Sequence, residues 1–181
     1  MVTELFKPRR SSTILTTDID FVGEAKNRGA VDAKVIRAHT ICLGNWTRLK
    51  CQFGCQHFGR RHTCPTFTPT TQEMSDILMD YEKVLVVEAE ESLKVHELVL
   101  GLETHYKSLG FGKAFALEAL PCNLCEVCTV DTHCEYPKQA RPTLQGCGID
   151  ISRTLTNIGW KEASNQEPCS LEQTVGIVLL D

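Results

Sequence analysis

The patterning of this chain predicts an α/β fold: a single compact domain on a mixed sheet of about four strands, with flanking helices and two Cys-rich loops. Three observations predict it. Stretches rich in β-branched or continuous apolar residues, at 31–43, 84–87 and 174–180, have the composition of strands. Stretches with apolar residues at helical spacing, at 74–81 and 91–109, lie between them. No repeat, low-complexity tract or Pro/Ser-rich linker divides the 181 residues, a length sufficient for one buried core.

Residues 1–30 read as a polar lead-in, with 13–22 a short helix or a frayed approach, and residues 31–181 as the domain. Val31, Val35, Ile36, Thr40 and Ile41 predict a strand reaching Leu43, with Cys42 as a small buried apolar residue within it. Thr70-Thr71-Gln72-Glu73 has the form of a capped helix start, followed by Met74, Ile77, Leu78 and Tyr81. Val84 to Val87 predicts a buried strand. A long helix over 91–109 places Leu93, Leu98, Leu102, Tyr106 and Leu109 on or near one face, and Gly110 stops it. His96 and His105 on that helix are expected to be exposed or packing residues rather than ligands. Lys113 to Leu120 is helix or strand. Asp150 or Ser152 caps a helix through Ile158 that Gly159 ends, and a last strand closes the chain.

Composition excludes several functions. The net charge is −4, so no general attraction to nucleic acid or anionic lipid is expected. No stretch approaches the roughly 20 apolar residues of a membrane span. Residues 1–10 lack the apolar core of a signal peptide, so the expected location is the cytoplasm. Thiols are kept reduced there, and ten cysteines then point to metal rather than to disulfides. No Walker loop, Ser/His/Asp set or complete GxGxxG motif is visible; Gly110-Phe111-Gly112 reads as a turn.

Most of the cysteines lie in two loops. Cys122, Cys125 and Cys128 form CxxCxxC, with Cys134 five residues further on. The first three match the opening of the bacterial ferredoxin run, in which one loop wraps a cubane so that successive thiolates reach different irons. Zinc also takes four thiolates, usually from two separated CxxC pairs. The other loop carries Cys51, Cys55 and Cys64-Pro65, with Gly54 and Gly59 for tight turns. Arg48, Lys50, Arg60 and Arg61 are either a solvated basic face or compensation for the negative charge of a buried cluster. Phe53, Phe58 and Phe67 either shield such a cluster from water or belong to the core. Glycines flank Cys147 and are expected to let backbone N–H groups approach a sulfur or cluster closely. Cys169, after Pro168, is structural or free.

These motifs resemble the DUF2284 family of predicted metal-binding proteins. The resemblance rests on Lys50-Cys51-x-x-Gly54-Cys55 with Cys64-Pro65, on Lys113-Ala114-Phe115-Ala116-Leu117, and on Cys122-x-x-Cys125-x-x-Cys128 with Cys134-x-x-Pro137. Arg141-Pro142, Gly148-Ile149-Asp150 and the closing apolar strand extend it over roughly residues 45–181. It implies a bound metal centre of iron–sulfur type in a small cytosolic protein of mostly anaerobic microbes, and no particular substrate. Family members often carry Pro-Pro after the third cysteine of the first loop; here Thr66 follows Pro65. Cys147 is not always part of the pattern.

Two [4Fe-4S] clusters need eight thiolates. Cys51, Cys55, Cys64, Cys122, Cys125, Cys128, Cys134 and Cys147 supply that number. The simplest partition sets Cys51, Cys55, Cys64 and Cys147 against the Cys122 run; a crossover of Cys134 and Cys147 is the alternative. The favoured function is a small electron-transfer or redox accessory protein, with a redox partner protein and, as a further possibility, self-association. One alternative is an enzyme with an open iron, or with His57, His62 or water completing the cluster, acting on a small substrate. The other is a structural zinc or iron–sulfur module that docks a partner.

Overall fold

The computed structural model describes residues 19–160 and 173–181. Four strands form one sheet in the order β1-β2-β4-β3: β1 Ala30–Arg37, β2 Lys83–Ala89, β3 Phe115–Glu118 and β4 Val175–Leu180. The expected four strands and flanking helices are present. All three strand pairings are antiparallel, so the sheet is antiparallel rather than mixed; an isolated parallel bridge joins Glu118 to Thr143 outside it. Lys113–Leu120, undecided from periodicity, holds the edge strand β3.

Both faces of the sheet are covered, which explains why β2 and β4 are apolar at odd and even positions alike. Val84, Val86, Ile177 and Leu179 face one core with Leu144, Cys147, Ile149 and Leu155. Leu85, Val87, Val178 and Leu180 face the other, against Val95, Val99, Leu102 and Tyr106. The register that pairs Val84 with Leu179 and Leu85 with Val178 keeps the two sets apart. The second core is roofed by α1 (Phe21–Asn27) and α4 (Ser92–Ser108), and the first by α3 (Thr71–Met79) and α5 (Ile151–Asn157). Helix α2 (Asn45–Gly54) lies beyond the core and delivers the first cysteine loop.

The caps follow the sequence. The Thr70 hydroxyl accepts from the Glu73 amide, and the Glu73 carboxylate accepts from the Thr70 amide, completing a capping box. Asp150 caps α5 by accepting from the Arg153 amide. Gly110 and Gly159 follow α4 and α5 with positive φ.

Three expectations need correction. The strand predicted to reach Leu43 ends at Arg37, where Ala38–Thr40 make a 3-10 turn. Beyond that turn the chain follows the α5 entry instead: the Asp150 amide donates to the Cys42 carbonyl at 2.8 Å, and the Cys42 amide donates to Thr154 Oγ1 at 3.0 Å. Cys42 is therefore half-buried outside the sheet, its sulfur accepting from Asn157. On α4 the buried stripe runs through Val95, Leu98, Val99, Leu102 and Tyr106, leaving Leu93 exposed. Of the expected helix at 13–22, residues 13–18 lie outside the described residues; α1 begins at Phe21.

One buried charge ties the helical layer to the cysteine segments. Glu103, on α4, is 2% exposed. Its two oxygens accept from Arg141 Nε and one Arg141 terminal nitrogen, each at 2.6 Å. It also accepts from Lys107 at 2.6 Å and from the Ala116 amide at 2.8 Å. One carboxylate thus anchors α4, the edge strand and the chain returning from the second cysteine run. Burial alone would push the Glu103 carboxyl up, but the bonds from Arg141, Lys107 and Ala116 together hold it below its ordinary value. Removing one member strands the others in the interior. Glu103→Gln should cost about 3–5 kcal/mol in urea unfolding. Because the folded carboxyl is depressed, its contribution is fully present above about pH 4 and lost as pH falls below that. The variant should lack that component of acid sensitivity.

Candidate metal centre

Helix α2 carries Cys51 in its last turn, and Cys55 follows as the C-cap with its amide bonded to the Cys51 carbonyl. The four-residue separation sets both thiols on one side of the helix. A chain of turns then leads to Cys64: Phe58 to Cys55, Arg60 to His57, and Cys64 to Arg61, each amide donating to the carbonyl three residues back. Gly59, at φ 67°, donates to the Pro65 carbonyl at 2.7 Å and closes the loop. Cys64 is 4% exposed and Cys147 is fully buried.

Cys147 ends a 3-10 turn, Gln145–Cys147, and its flanking glycines serve packing rather than sulfur contacts. The Gly146 amide donates to Thr143 Oγ1 and the Gly148 amide to the Gln145 carbonyl. A Cβ on Gly146 would meet Thr143, Pro65 and Thr68, so only glycine lets this turn lie against the first loop. Gly148 adopts φ 83°. The expectation that their N–H groups approach sulfur is therefore replaced by a steric role.

The two cysteine loops meet at Thr63, which is 4% exposed. Its carbonyl accepts from the Thr143 amide at 2.9 Å and its hydroxyl from the Cys122 amide at 3.3 Å. Arg61 donates to the Cys122 carbonyl, and to His57 Nδ1 at 3.1 Å. The His62 amide lies 3.5 Å from Cys128 Sγ, and its ring Nε2 lies 3.1 Å from the Thr129 carbonyl. The first loop is thereby bonded to the start and the middle of the second. Residues 121–137 form no helix or strand of their own.

Within this junction the thiols fall into two neighbourhoods. Cys64 feels Cys55 and Cys51, while Cys147 feels Cys64 and Cys51. Cys122 feels Cys134, and Cys125 feels Cys128 and Cys134. Among the described residues, no disulfide joins one cysteine to another. Among the described residues, no three His, Cys, Asp or Glu side chains are gathered tightly enough to hold a single metal ion. Burial pushes Cys64 and Cys147 up to about 12, with the neighbouring thiols adding to it. Burial also raises Cys122 and Cys125. Arg48 acts in the opposite sense on Cys147, and Arg61 on Cys64, Cys122 and Cys125.

The four cations of the first loop have different fates. Arg48 donates to the Pro69 carbonyl at 2.8 Å, to Thr68 at 3.3 Å and to the Gly146 carbonyl. Lys50 lies over the Trp46 ring, and Arg60 is exposed. Two of the four, Arg48 and Arg61, act on the thiols. Phe53 is 80% and Phe67 45% exposed, and Phe58 is half-buried. They are no part of the core, because α2 and its loop stand outside it. Cys169 lies outside the described residues.

A family model described as "Predicted metal-binding protein (DUF2284)" matches residues 34–180. The chain belongs to this family. No curated protein and no solved structure matches it. For this DUF2284 member the donor chemistry fits the description, since an all-thiol set suits soft transition metals and clusters rather than magnesium or calcium.

Several residues of the junction had little or no sequence signal. Thr63 sits in the loop as an ordinary threonine. Glu118, 2% exposed, holds His96 at 3.0 Å, and that bond raises the His96 pKa. Asp150 is a cap and also the acceptor for Trp46 Nε1 at 3.1 Å. Only its cap role has a local signature.

Two outcomes are expected. Binding a metal must displace protons from thiols whose pKa burial has raised, so loading metal-free protein at pH 7 should release about one proton per thiol engaged; calorimetry in buffers of different ionisation enthalpy reads this directly. Thr63→Val keeps the shape and removes the acceptor for the Cys122 amide. It should lower stability by about 1–3 kcal/mol in denaturant unfolding.

Proposed function

We propose that this DUF2284 protein binds two [4Fe-4S] clusters and acts as a small cytoplasmic electron carrier or redox accessory subunit for a partner protein. The observation that supports this reading is the division of eight cysteines into two neighbourhoods of four, joined through Thr63, Arg61 and His62. Cys51, Cys55, Cys64 and Cys147 would hold one cluster; Cys122, Cys125, Cys128 and Cys134 would hold the other. The CxxCxxC spacing favours a cluster over zinc, which prefers separated pairs. Such a centre, when bound, supplies a one-electron store. The protein supplies a negative-charge balance through Arg48 and Arg61 and N–H donors through the His57 and His62 amides, each 3.5 Å from a cysteine sulfur.

Protein purified anaerobically should be brown and contain about eight irons and eight sulfides per chain. Cys51→Ala and Cys125→Ala should each remove or convert one centre and leave the EPR signal of the other. Colourless protein holding stoichiometric zinc would overturn the reading, and loss of both signals in either variant would overturn the partition.

A further inference from the structure

The end of the molecule built from the two cysteine loops has a divided charge. Residues 45–67 carry four Lys or Arg and no carboxylate, while residues 121–137 carry three carboxylates and no Lys or Arg. The bonds from Arg61, His62 and Thr63 to Cys122, Cys128 and Thr129 hold these two halves side by side. Arg48 and Arg61 are spent on main-chain carbonyls, but Lys50 and Arg60 in the basic half and Glu126, Asp131 and Glu135 in the acidic half are exposed. Among the described residues, none of these five has an ion-pair partner. Elsewhere surface charges do pair within the chain, as Lys26 does with Asp32 at 3.2 Å and Lys113 with Asp181 at 3.0 Å. Apolar side chains are exposed on both halves as well. Leu49 and Phe53, four residues apart on α2 and so on one face of it, are 57% and 80% exposed, and Val127 in the acidic run is 79% exposed. Phe67, 45% exposed, lies at the seam: its ring is 5.3 Å from that of His62, which reaches Cys128 and Thr129 beside Val127. Large apolar groups among unpaired charges have the anatomy of a protein–protein interface.

We propose that this end of the molecule is the interface of a two-fold symmetric dimer, in which the basic half of each copy lies against the acidic half of the other. A two-fold axis between adjacent halves exchanges them, so a face that carries both signs complements itself. A wholly basic or wholly acidic face would call for a different protein of opposite sign; a divided face is satisfied by a second copy. Lys50 and Arg60 of each copy then meet Glu126, Asp131 and Glu135 of the other, and every such contact occurs twice. Exposed ion pairs add little singly. Burial of Leu49, Phe53 and Val127 therefore supplies most of the affinity, and the charges fix which halves meet. This association goes beyond the cluster reading and does not depend on which metal the cysteines hold.

Sedimentation velocity on anaerobically purified protein tests this. A dimer should form at about 10–100 μM protein in about 50 mM salt, and its dissociation constant should rise about tenfold in about 500 mM salt, where the charges are screened. Lys50→Glu with Arg60→Glu leaves both halves acidic, and Glu126→Lys with Glu135→Lys leaves both basic. Each double variant alone should be monomeric. An equimolar mixture of the two should dimerise again, because every repulsive contact becomes an attractive one. Phe53→Ser, at an exposed position outside the core, should weaken the wild-type dimer about tenfold. Wild-type protein that stays monomeric throughout overturns the proposal and leaves a different protein as the occupant of this face. A dimer that persists in both double variants places the contact elsewhere and overturns it too, as does a mixture no more associated than its components. Iron and sulfide counts on the same samples keep this result apart from the cluster reading. Zinc-containing protein that dimerises with this charge dependence sinks the clusters and keeps the interface; fully loaded protein that stays monomeric sinks the interface alone.

Discussion

The junction of the cysteine loops depends on one buried threonine that serves two masters. Thr63 offers its carbonyl to the Thr143 amide and its hydroxyl to the Cys122 amide. Those two bonds fix three segments that lie far apart along the chain: the first loop, the start of the CxxCxxC run and the turn bearing Cys147. Neither partner amide could be satisfied by its own segment, since neither lies in a helix or strand, and a buried unpaired N–H is expensive. The threonine therefore does for these loops what a ladder does for a sheet. Glu103 plays the complementary part from the scaffold side by holding Arg141, where the second run returns.

The scaffold was legible because its signals are local. Thr70 and Glu73 announce a capping box within four residues, and the apolar run at 84–87 announces a strand buried on both faces. The cysteines were legible as candidates for a comparable reason: their spacing is a property of one loop. What could not be read was non-local. Cys42 lies in a β-branched stretch, yet its backbone is claimed by Asp150 and Thr154, more than a hundred residues away, and the strand stops short of it. The exposure of Phe53 follows from α2 standing outside the core, a fact of packing that no window of sequence contains. The glycines around Cys147 have a sequence signal, but its physical cause, a close approach to Pro65 and Thr68, belongs to a neighbour distant in sequence.

The arginines show why residue type alone does not fix an electrostatic role. Arg48 and Arg60 are equivalent in sequence terms. Arg48 is spent on the main-chain carbonyls of Gly146, in the Cys147 turn, and of Pro69, so its charge is held beside a buried thiol. Arg60 points to solvent, where screening reduces its effect. Arg61 is the more consequential of the adjacent pair, because it bonds the Cys122 carbonyl and acts on thiols of both neighbourhoods. A positive charge placed between two thiol groups favours the anionic form of each, whichever metal they take up.

That arrangement bears on the order in which the molecule becomes complete. The sheet, its two cores and the Glu103 anchor use no cysteine except Cys147, which packs with Leu144 and Ile149. Residues 121–137 have no regular structure and few internal hydrogen bonds to resist opening. Free energy of metal binding would therefore act mainly on these loops, through Cys147 as the point where site and core share a residue. Of the eight candidate ligands, Cys147 alone lies outside both loops and is the most deeply buried, so the first set of four thiols depends on the packing that holds the segment at 143–149 against Pro65 and Thr68.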